Sequence, residues 1–397
     1  MSRIVQNESI PFIDVAAQRR RLGPRLEAAI QGVLDHGRFI FGPEVGELER
    51  RLEDWTGARH CITCGNGTDA LILALTALGI GPGDAVLVPA FTFVASAEAV
   101  VRVGAAPVFV DVLPTTFNLD PASLQAAIEI ARRGRLRPRA VIVVDLFGQP
   151  ADYDSLGAIA RAHGLKLIAD AAQSFGATRN GRPVGTLADV TTTSFYPAKP
   201  FGCYGDGGAL FTNDDGLARL LRGLRNHGID ERGGKPRMIG FNSRLDTLQA
   251  AILLHKLDVL ASEIEARGAI ARRYRERLAG GPLGQQEVGH QELTANTSST
   301  WAQYTIVVEN GRDDLVLGCS TAGVPTAIHY ADPLHALPIF SSFARAPLPV
   351  SERLARQVVS LPMHAYLEPA VQDRIVDVVC SALPESERLG HGQALSA

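Results

Sequence analysis

The strongest constraint on the fold is the alternation of apolar and helical segments between about residues 60 and 215. Short, uninterrupted apolar runs, typical of strands buried on both faces, lie at residues 85–89, 107–112, 140–146 and 165–169. Amphipathic helical patterns separate them, at residues 68–78, 96–103, 121–133 and 153–163. This alternation predicts an α/β domain with a mainly parallel sheet covered by helices on both faces.

The flanking segments predict a second, smaller domain. Helices are expected before the sheet at residues 18–34 and 43–56. A long helical pattern covers residues 245–278, with an interruption expected near Gly268. Beyond it, a strand and two helices are expected at residues 304–308, 312–322 and 352–358. We therefore expect a large domain over residues 1–260 and a small C-terminal α+β domain over residues 261–397.

Charge and apolar patterning exclude several classes of function. The formal net charge is −3 without a basic block, which argues against nucleic acid as the main partner. No apolar run has the length of a signal peptide or a membrane span, so a cytoplasmic protein without a membrane partner is expected. Cys61 and Cys64 have the spacing of a metal or redox pair, but no second ligand pair is visible. Buried, reduced thiols are expected instead, and no metal.

One lysine differs in its surroundings from the others. The four lysines are Lys166, Lys199, Lys235 and Lys256. Lys199 lies between Pro197 and Pro200, which restrict the backbone, and precedes a glycine-rich run. Lys235 and Lys256 are expected to be solvated charges. A lysine held in a fixed loop and kept deprotonated by burial suits a Schiff base, although a surface lysine in a Pro/Gly turn is equally compatible with this loop alone.

Three further elements fall at the ends of predicted strands. Asp170 directly follows an apolar strand, where α/β sheets bind ligands and where an acid can keep the pyridine nitrogen of pyridoxal phosphate (PLP) protonated. Gly67 and Thr68 open a helix whose first turn can bind a phosphate. Phe93 can stack on a flat ring. The alternatives are an Asp that starts a turn or caps a helix, and a core Phe. A lysine, an acid, a phosphate site and an aromatic at one sheet edge together indicate PLP.

The motifs resemble one family over residues 10–380. They are GNGTDAL, PAFTFVAS, ADAAQSFGA, SFYPAKPFGCYGDGGA and NSRLDTLQAAIL. These runs resemble the DegT-type nucleotide-sugar aminotransferases, a branch of the fold-type I PLP enzymes. The resemblance implies a mainly parallel, seven-stranded-type sheet between helices and a smaller C-terminal domain.

The resemblance also implies a role for each matching residue. Lys199 is the Schiff-base lysine and general acid/base, and Asp170 pairs with the pyridine nitrogen. The other cofactor-binding positions are Gly67, Thr68, Phe93, Gln173, Ser194 and Asn242, of which Asn242 is expected to reach the phosphate from a partner subunit. The substrate-binding positions are Arg244, His329 and Tyr330. A site shared across subunits implies a homodimer.

The implied reaction carries an amino group from L-glutamate, through PLP, to a keto-sugar nucleotide. The runs AGVPTAIHY and SLPMHAYL look most like transaminases acting at C3 of UDP-2-acetamido-2-deoxy-3-oxo-glucuronate for O-antigen or lipopolysaccharide synthesis. The nearest alternative substrate is a dTDP- or UDP-linked 3- or 4-keto-deoxyhexose. Two other classes remain: a PLP-fold protein without transaminase activity, and a nicotinamide oxidoreductase, which the missing glycine fingerprint disfavours.

Overall fold

The structure is a computed structural model that describes residues 10–229, 233–279 and 288–383. Within these ranges, the helices before the first strand are α1 (Val15–Leu22), α2 (Pro24–His36) and α3 (Pro43–Thr56). The prediction of one helix over residues 18–34 is wrong. Gly23 has a φ of 60° and ends α1, and Pro24 begins α2 at a position where a missing N–H is harmless.

The large domain is built on a seven-stranded, mainly parallel sheet, as predicted. The strands of this region are β1 (His60–Cys64), β2 (Asp84–Pro89), β3 (Ala106–Val110), β4 (Arg137–Val144), β5 (Lys166–Asp170), β6 (Thr178–Arg179), β7 (Arg182–Pro183), β8 (Val190–Ser194) and β9 (Gly208–Thr212). The sheet order is β1-β9-β8-β5-β4-β2-β3, and β6 and β7 form a separate hairpin. Within the sheet β9 alone runs antiparallel to its neighbours, so the other six strands point the same way.

Helices cover both faces of this sheet. They are α4 (Gly67–Ala77), α5 (Ala95–Arg102), α6 (Pro121–Arg133), α7 (Tyr153–His163) and α8 (Asp215–Leu224). Aspartates cap several of them: the carboxylate of Asp120 accepts from two amides at the start of α6, and Asp214 does the same for α8. Val86 and Ile142 point into the core beneath α4 and α5, whereas Leu87 packs on the opposite face beneath α6 and α7.

The small domain contains a three-stranded antiparallel sheet. Its described elements are α9 (Thr247–Ala279), β10 (Val288–His290), β11 (Tyr304–Val308), α10 (Arg312–Thr321), α11 (Pro349–Gln357), β12 (Val358–Leu361) and α12 (Pro369–Ala382). Described 3₁₀ turns lie at Leu146–Gly148 in the large domain and at Leu334–Ala336 and Pro338–Phe340 near the small domain. The strand order is β10-β11-β12. The strand β12 was not predicted; the helix expected over residues 352–358 ends at Gln357, where the chain becomes extended.

Helix α9 connects the two cores. It runs for 33 residues, and the interruption expected at Gly268 is wrong, since that residue lies inside the continuous helix. Leu253 and Leu260 pack against the large-domain core, whereas Tyr274 packs in the small-domain core and stacks on Tyr304 with ring centroids 4.8 Å apart. This change of packing agrees with a boundary inside α9, and the division at 260/261 stays a prediction.

One charged side chain lies where a solvated one was expected. Lys256 is only 2% exposed, because α9 packs its side chain against the loop that follows Lys199, so the prediction of a solvated charge is wrong. Lys235 is exposed, as expected. Cys61 and Cys64 are both buried free thiols, in agreement with the sequence. Within the described ranges, no helix is both long and apolar enough to cross a lipid bilayer.

Candidate active site

The predicted chemical groups follow strands that point in the same direction. Gly67 follows β1, Phe93 follows β2, Asp170 ends β5 and Ser194 ends β8. Because the carboxyl ends of these strands meet at one edge of the sheet, the four residues face one region. The described residues contain no group of His, Cys, Asp or Glu side chains that could hold a metal ion.

Lys199 lies on the loop after β8 with its amine in a desolvated place. Its backbone N–H donates to the Tyr196 carbonyl at 2.9 Å, which closes a turn. Burial lowers the pKa of the Lys199 amine from its usual 10.5, and the negative charge of Asp170 partly opposes this shift. The amine is therefore more easily deprotonated than an ordinary lysine, as a nucleophile or proton carrier requires.

Asp170 is buried at the end of β5 and is held by two donors. The Ser96 hydroxyl donates to Oδ2 at 3.0 Å, and the Ala172 amide donates to Oδ1 at 3.2 Å. Burial raises the pKa of Asp170 in spite of these bonds and of the nearby Lys199 charge. A cationic partner would stabilise the charged form of this buried carboxylate.

The start of α4 forms a cradle for an anion. The Asn66 side chain accepts from the Asp69 amide and caps the helix, and the amides of Gly67 and Thr68 have no acceptor within the described part of the chain. A Cβ on Gly67 would lie 2.7 Å from Cβ of Ser194, so glycine is what allows α4 to approach β8 this closely. The cradle thus combines backbone amides, the positive end of a helix and the hydroxyl groups of Thr68 and Ser194.

Aromatic and amide groups surround the space in front of Asp170. Phe93 is 54% exposed, unusual for a large apolar side chain, and its ring centroid lies 6.2 Å from that of Tyr330. The Gln173 amide donates to the Tyr330 hydroxyl at 3.3 Å, and its oxygen accepts from the Phe147 amide. Burial raises the pKa of Tyr330, so its hydroxyl stays protonated. Phe93, Gln173 and Tyr330 thus belong to one pocket.

His329 joins this pocket from the small domain. One of its ring nitrogens, Nδ1, lies 3.0 Å from the Ser360 hydroxyl on β12. Burial, followed by the Lys199 charge, lowers the pKa of His329 to about 4. The ring is therefore neutral near pH 7, and its centroid lies 5.7 Å from that of Tyr330, beside the same pocket.

The described hydrogen bonds of the Asn242 and Arg244 side chains do not reach the pocket residues of their own chain. The Arg244 guanidinium donates to the Asn242 side chain at 2.6 Å and to the Asn226 side chain at 3.1 Å. Asn242 is exposed. Ser243, between them, accepts from the Gly65 amide at 3.0 Å, so the segment borders the phosphate cradle of its own chain.

Two residues that shape the site were not predicted. Ser96 is the side-chain donor to Asp170, and Lys256 contacts the loop that carries Lys199. Ser96 ends the run PAFTFVAS, seven residues after the last residue of β2, so its place close to the strand end was a signal. Nothing in the sequence distinguishes Lys256 from other charges on an amphipathic helix.

A family model describes nearly the whole chain. The DegT/DnrJ/EryC1/StrS aminotransferase family matches residues 21–380. The chain belongs to this family. Members of this family are PLP-dependent sugar aminotransferases, so the predicted family, fold class, enzyme class and cofactor are confirmed.

Individual relatives and structures agree with this assignment. The chain is 48% identical to UDP-2-acetamido-2-deoxy-3-oxo-D-glucuronate aminotransferase of Pseudomonas aeruginosa, over 94% of this chain and 99% of that protein. It is 40% identical to dTDP-3-amino-3,4,6-trideoxy-alpha-D-glucose transaminase of Streptomyces venezuelae, over 96% and 97% of the two chains. A family member from Brucella abortus superposes with a TM-score of 0.90 at 50% identity, covering 94% of this chain and 99% of that one. NtdA of Bacillus subtilis, solved with bound cofactor PMP, superposes with a TM-score of 0.87 at 30% identity, covering 96% and 86%.

The residues present fit a PLP molecule. The cradle at Gly67 and Ser194 suits a phosphate, the exposed face of Phe93 suits a flat ring, and the buried Asp170 suits a protonated ring nitrogen. Lys199 supplies the one group that remains, a desolvated primary amine.

Proposed function

We propose that this chain transfers the amino group of L-glutamate to C3 of UDP-2-acetamido-2-deoxy-3-oxo-glucuronate, for bacterial surface polysaccharides such as O-antigen or lipopolysaccharide. The observation that supports this substrate most is the near-full-length 48% identity with the Pseudomonas aeruginosa enzyme of that name. The proposed enzyme is a cytoplasmic homodimer with shared sites.

Lys199 and Asp170 are the proposed catalytic residues. When bound, PLP supplies an electron sink that stabilises negative charge at the substrate carbon. The Lys199 amine, whose pKa is lowered by burial, takes the proton from the carbon of the amino donor. In the second half of the reaction it donates a proton to the carbon of the acceptor sugar. The Asp170 carboxylate, oriented by Ser96, keeps the ring nitrogen protonated. Both functions depend on the desolvation of the site.

The remaining pocket residues bind and orient. Gly67, Thr68 and Ser194 are proposed to hold the phosphate, and Phe93 to stack on the ring. Gln173 is held between the Phe147 amide and the Tyr330 hydroxyl, and it is proposed to lie beside the ring. Such fixed donors favour one orientation of the reacting groups.

The sugar is proposed to contact His329 and Tyr330 of one subunit and Arg244 of the partner subunit. His329 is neutral near pH 7 and offers a hydrogen bond without a charge. The described hydrogen bonds of Arg244 go to the neutral side chains of Asn226 and Asn242, so its positive charge remains for an acidic ligand. Asn242 of the partner subunit is proposed to reach the phosphate.

A second acceptor class is favoured by the relative from Streptomyces venezuelae. At 40% identity over 96% of this chain, its name describes a dTDP-linked amino-deoxyhexose. The sugar ring of such an acceptor carries no carboxylate, so Arg244 has no anionic group on the ring to bind. The two acceptors can therefore be distinguished by charge.

The test is a transamination assay with each acceptor. The purified protein is given L-glutamate and either the UDP-linked 3-oxo-glucuronate or a dTDP-linked keto-deoxyhexose, and 2-oxoglutarate and the amino-sugar mass are measured. We expect turnover of the acidic sugar, with KM raised about tenfold or more in Arg244→Gln because a charged hydrogen bond is lost. The exposed Arg353→Gln on α11 serves as the matched control. Turnover of the deoxyhexose alone would replace the first acceptor by the second.

A further inference from the structure

The ammonium group of Lys256 lies inside the protein against the loop that carries Lys199. Lys256 projects from α9, its residue is 2% exposed, and Nζ donates to the Gly202 carbonyl at 2.6 Å. The same group lies 4.2 Å from the centroid of the Tyr204 ring, in a cation–π contact. Both contacts reach the segment just beyond Lys199.

The backbone of Gly202 packs closely against the residues before Lys199. A Cβ at Gly202 would collide with the Tyr196 carbonyl oxygen and lie 2.8 Å from the Pro197 carbonyl oxygen. The Tyr196 carbonyl also accepts the Lys199 N–H at 2.9 Å. Next to it, the Cys203 amide donates to the Phe195 carbonyl at 2.7 Å. The backbone of Lys199 is therefore held within a closed loop whose outer end is tied to α9.

A second contact from α9 ties the same loop. The Gln249 side-chain oxygen accepts from the Tyr204 amide at 2.9 Å. Gln249 and Lys256 are seven residues apart on the helix, two turns, so they hold the loop from one helix face. Together they link α9 to the position of the reactive lysine.

Burying this ammonium group costs free energy, so a contribution to stability does not explain its position. Desolvation lowers the pKa of Lys256 to about 8, an effect that the charge of Glu263 partly opposes. An apolar side chain of similar length would fill the same space without that desolvation. What an apolar side chain cannot supply is a donor to the Gly202 carbonyl.

We propose that Lys256 is a positioning residue that fixes the loop of Lys199 through its bond to the Gly202 carbonyl. The inference rests on the proposed role of Lys199 and names a residue that acts on it from outside the pocket. Without the bond, the loop loosens and water reaches the Lys199 amine. The groups that face that amine, Asp170 and His329, stay in place, so the change at Lys199 is one of solvation.

The experiment compares Lys256→Met, which removes the donor, with Lys256→Arg, which keeps one. The first measurement is the reactivity of the Lys199 amine in the cofactor-free protein, by acetic anhydride labelling against pH and peptide mass spectrometry. The chain has only four lysines, so each site can be followed separately. The second is kcat and KM for L-glutamate in the PLP-loaded enzyme. The matched control is Lys166→Met, which removes an exposed lysine paired with Asp189 at the other end of β5.

We expect Lys256→Met to raise the labelling pKa of Lys199 by about one unit, since part of its desolvation is lost. The kcat should fall about tenfold with little change in KM, since alignment is lost and binding is retained. Lys256→Arg should restore most of both, and Lys166→Met should change neither. If Lys256→Met does not accumulate as folded protein, Lys256→Leu, which also lacks a donor, is measured in the same way.

An unchanged Lys199 labelling pKa and kcat in the folded variant, even with a lower melting temperature, would overturn the inference and leave Lys256 a purely structural residue. Failure of the proposed function is seen separately. Borohydride reduction of the PLP-treated wild-type protein should attach the cofactor to the Lys199 peptide, and its absence would reject the role of Lys199 whatever Lys256 does.

Discussion

Asp170 depends on a neighbour for its charge state. Burial raises its pKa, and the Ser96 hydroxyl at 3.0 Å is the side-chain donor that opposes this shift. A protonated Asp170 has no negative charge with which to keep a ring nitrogen protonated. Together with the Ala172 amide, Ser96 is therefore expected to extend the charged state of Asp170 to lower pH.

Ser96→Ala is expected to lower kcat about tenfold to a hundredfold, because a hydrogen bond to a buried charge is lost. The pKa of Asp170 rises further, so the acid limb of kcat against pH moves to higher pH. Steady-state kinetics from pH 5 to 9 measure both effects. Ser341→Ala, at an exposed serine whose hydroxyl donates to the Pro338 carbonyl, is the control. A pH profile identical to the wild type would contradict the role of Ser96.

Asp145 is a second buried carboxylate behind the site. It accepts from the Ser174 hydroxyl at 2.6 Å, the Tyr153 hydroxyl at 2.8 Å and the Ala151 amide at 2.9 Å. Burial raises its pKa from 3.8 to about 7 in spite of these bonds, and the charge of Asp170 adds to the shift. The folded protein thus holds a proton that the unfolded chain releases.

This proton predicts a pH-dependent stability. The contribution of Asp145 is fully present below pH 3.8 and is lost as pH rises through about 7, because the folded-state pKa is raised. Asp145→Asn has no such titration, so its free energy of unfolding relative to the wild type should increase by about 2–4 kcal/mol from pH 4 to pH 8. Urea unfolding of the cofactor-free proteins across this range measures it. A difference that stays constant with pH would show that Asp145 does not titrate there.

At the scale of elements, the contact between α4 and β8 forms the anion cradle. Gly67 begins α4 and Ser194 ends β8, and the absence of a side chain at Gly67 sets their separation. The geometry of the cradle therefore depends on a single Cβ position.

Gly67→Ala is expected to weaken PLP binding about tenfold or more, because its Cβ would lie 2.7 Å from Ser194 Cβ and force the two elements apart. Equilibrium binding of PLP, followed by absorbance, measures the effect. Gly46→Ala is the control: it lies within α3 with nothing within 4 Å of the new Cβ, so it should bind PLP normally and be slightly more stable. Equal affinities of the two variants would show that the approach at Gly67 is unimportant.

Continuous apolar runs were sufficient to predict the parallel strands. The segments at 85–89, 107–112 and 165–169 became β2, β3 and β5, because strands buried on both faces carry no polar alternation. The break at Gly23 and the strand β12 were missed, since a positive φ and a short edge strand depend on tertiary packing. The sequence could predict that the residues after these strands lie close together, because parallel strands place their carboxyl ends at one edge of the sheet in any strand order. Ser96 and Lys256 were not, since their partners come from distant segments.

At the scale of the whole molecule, the pocket draws on both domains. Lys199 and Asp170 come from the large domain, whereas His329 and Tyr330 come from a segment that pairs with β12 of the small domain. Asn242 and Arg244 are proposed to complete the site from a partner subunit.

Shared sites predict complementation between two inactive variants. Lys199→Ala has lost the reactive lysine, and the double variant Asn242→Ala, Arg244→Ala has lost what it gives to its partner. Mixed dimers contain one intact site of two, and half of randomly formed dimers are mixed, so about one quarter of wild-type activity should return. Unfolding and refolding an equimolar mixture, followed by the transamination assay, measures this. No recovery beyond the separate variants would mean that each site is complete within its own chain.

The central claim is that Lys199 binds PLP and that the site accepts an amino group from L-glutamate. The most direct measurement is the visible absorption spectrum of the purified protein before and after L-glutamate is added, with Lys199→Ala as the control. The account predicts a yellow absorption band in the wild type that glutamate bleaches, and the absence of that band in the variant. A wild-type protein that shows no such band even after PLP is added would contradict the account.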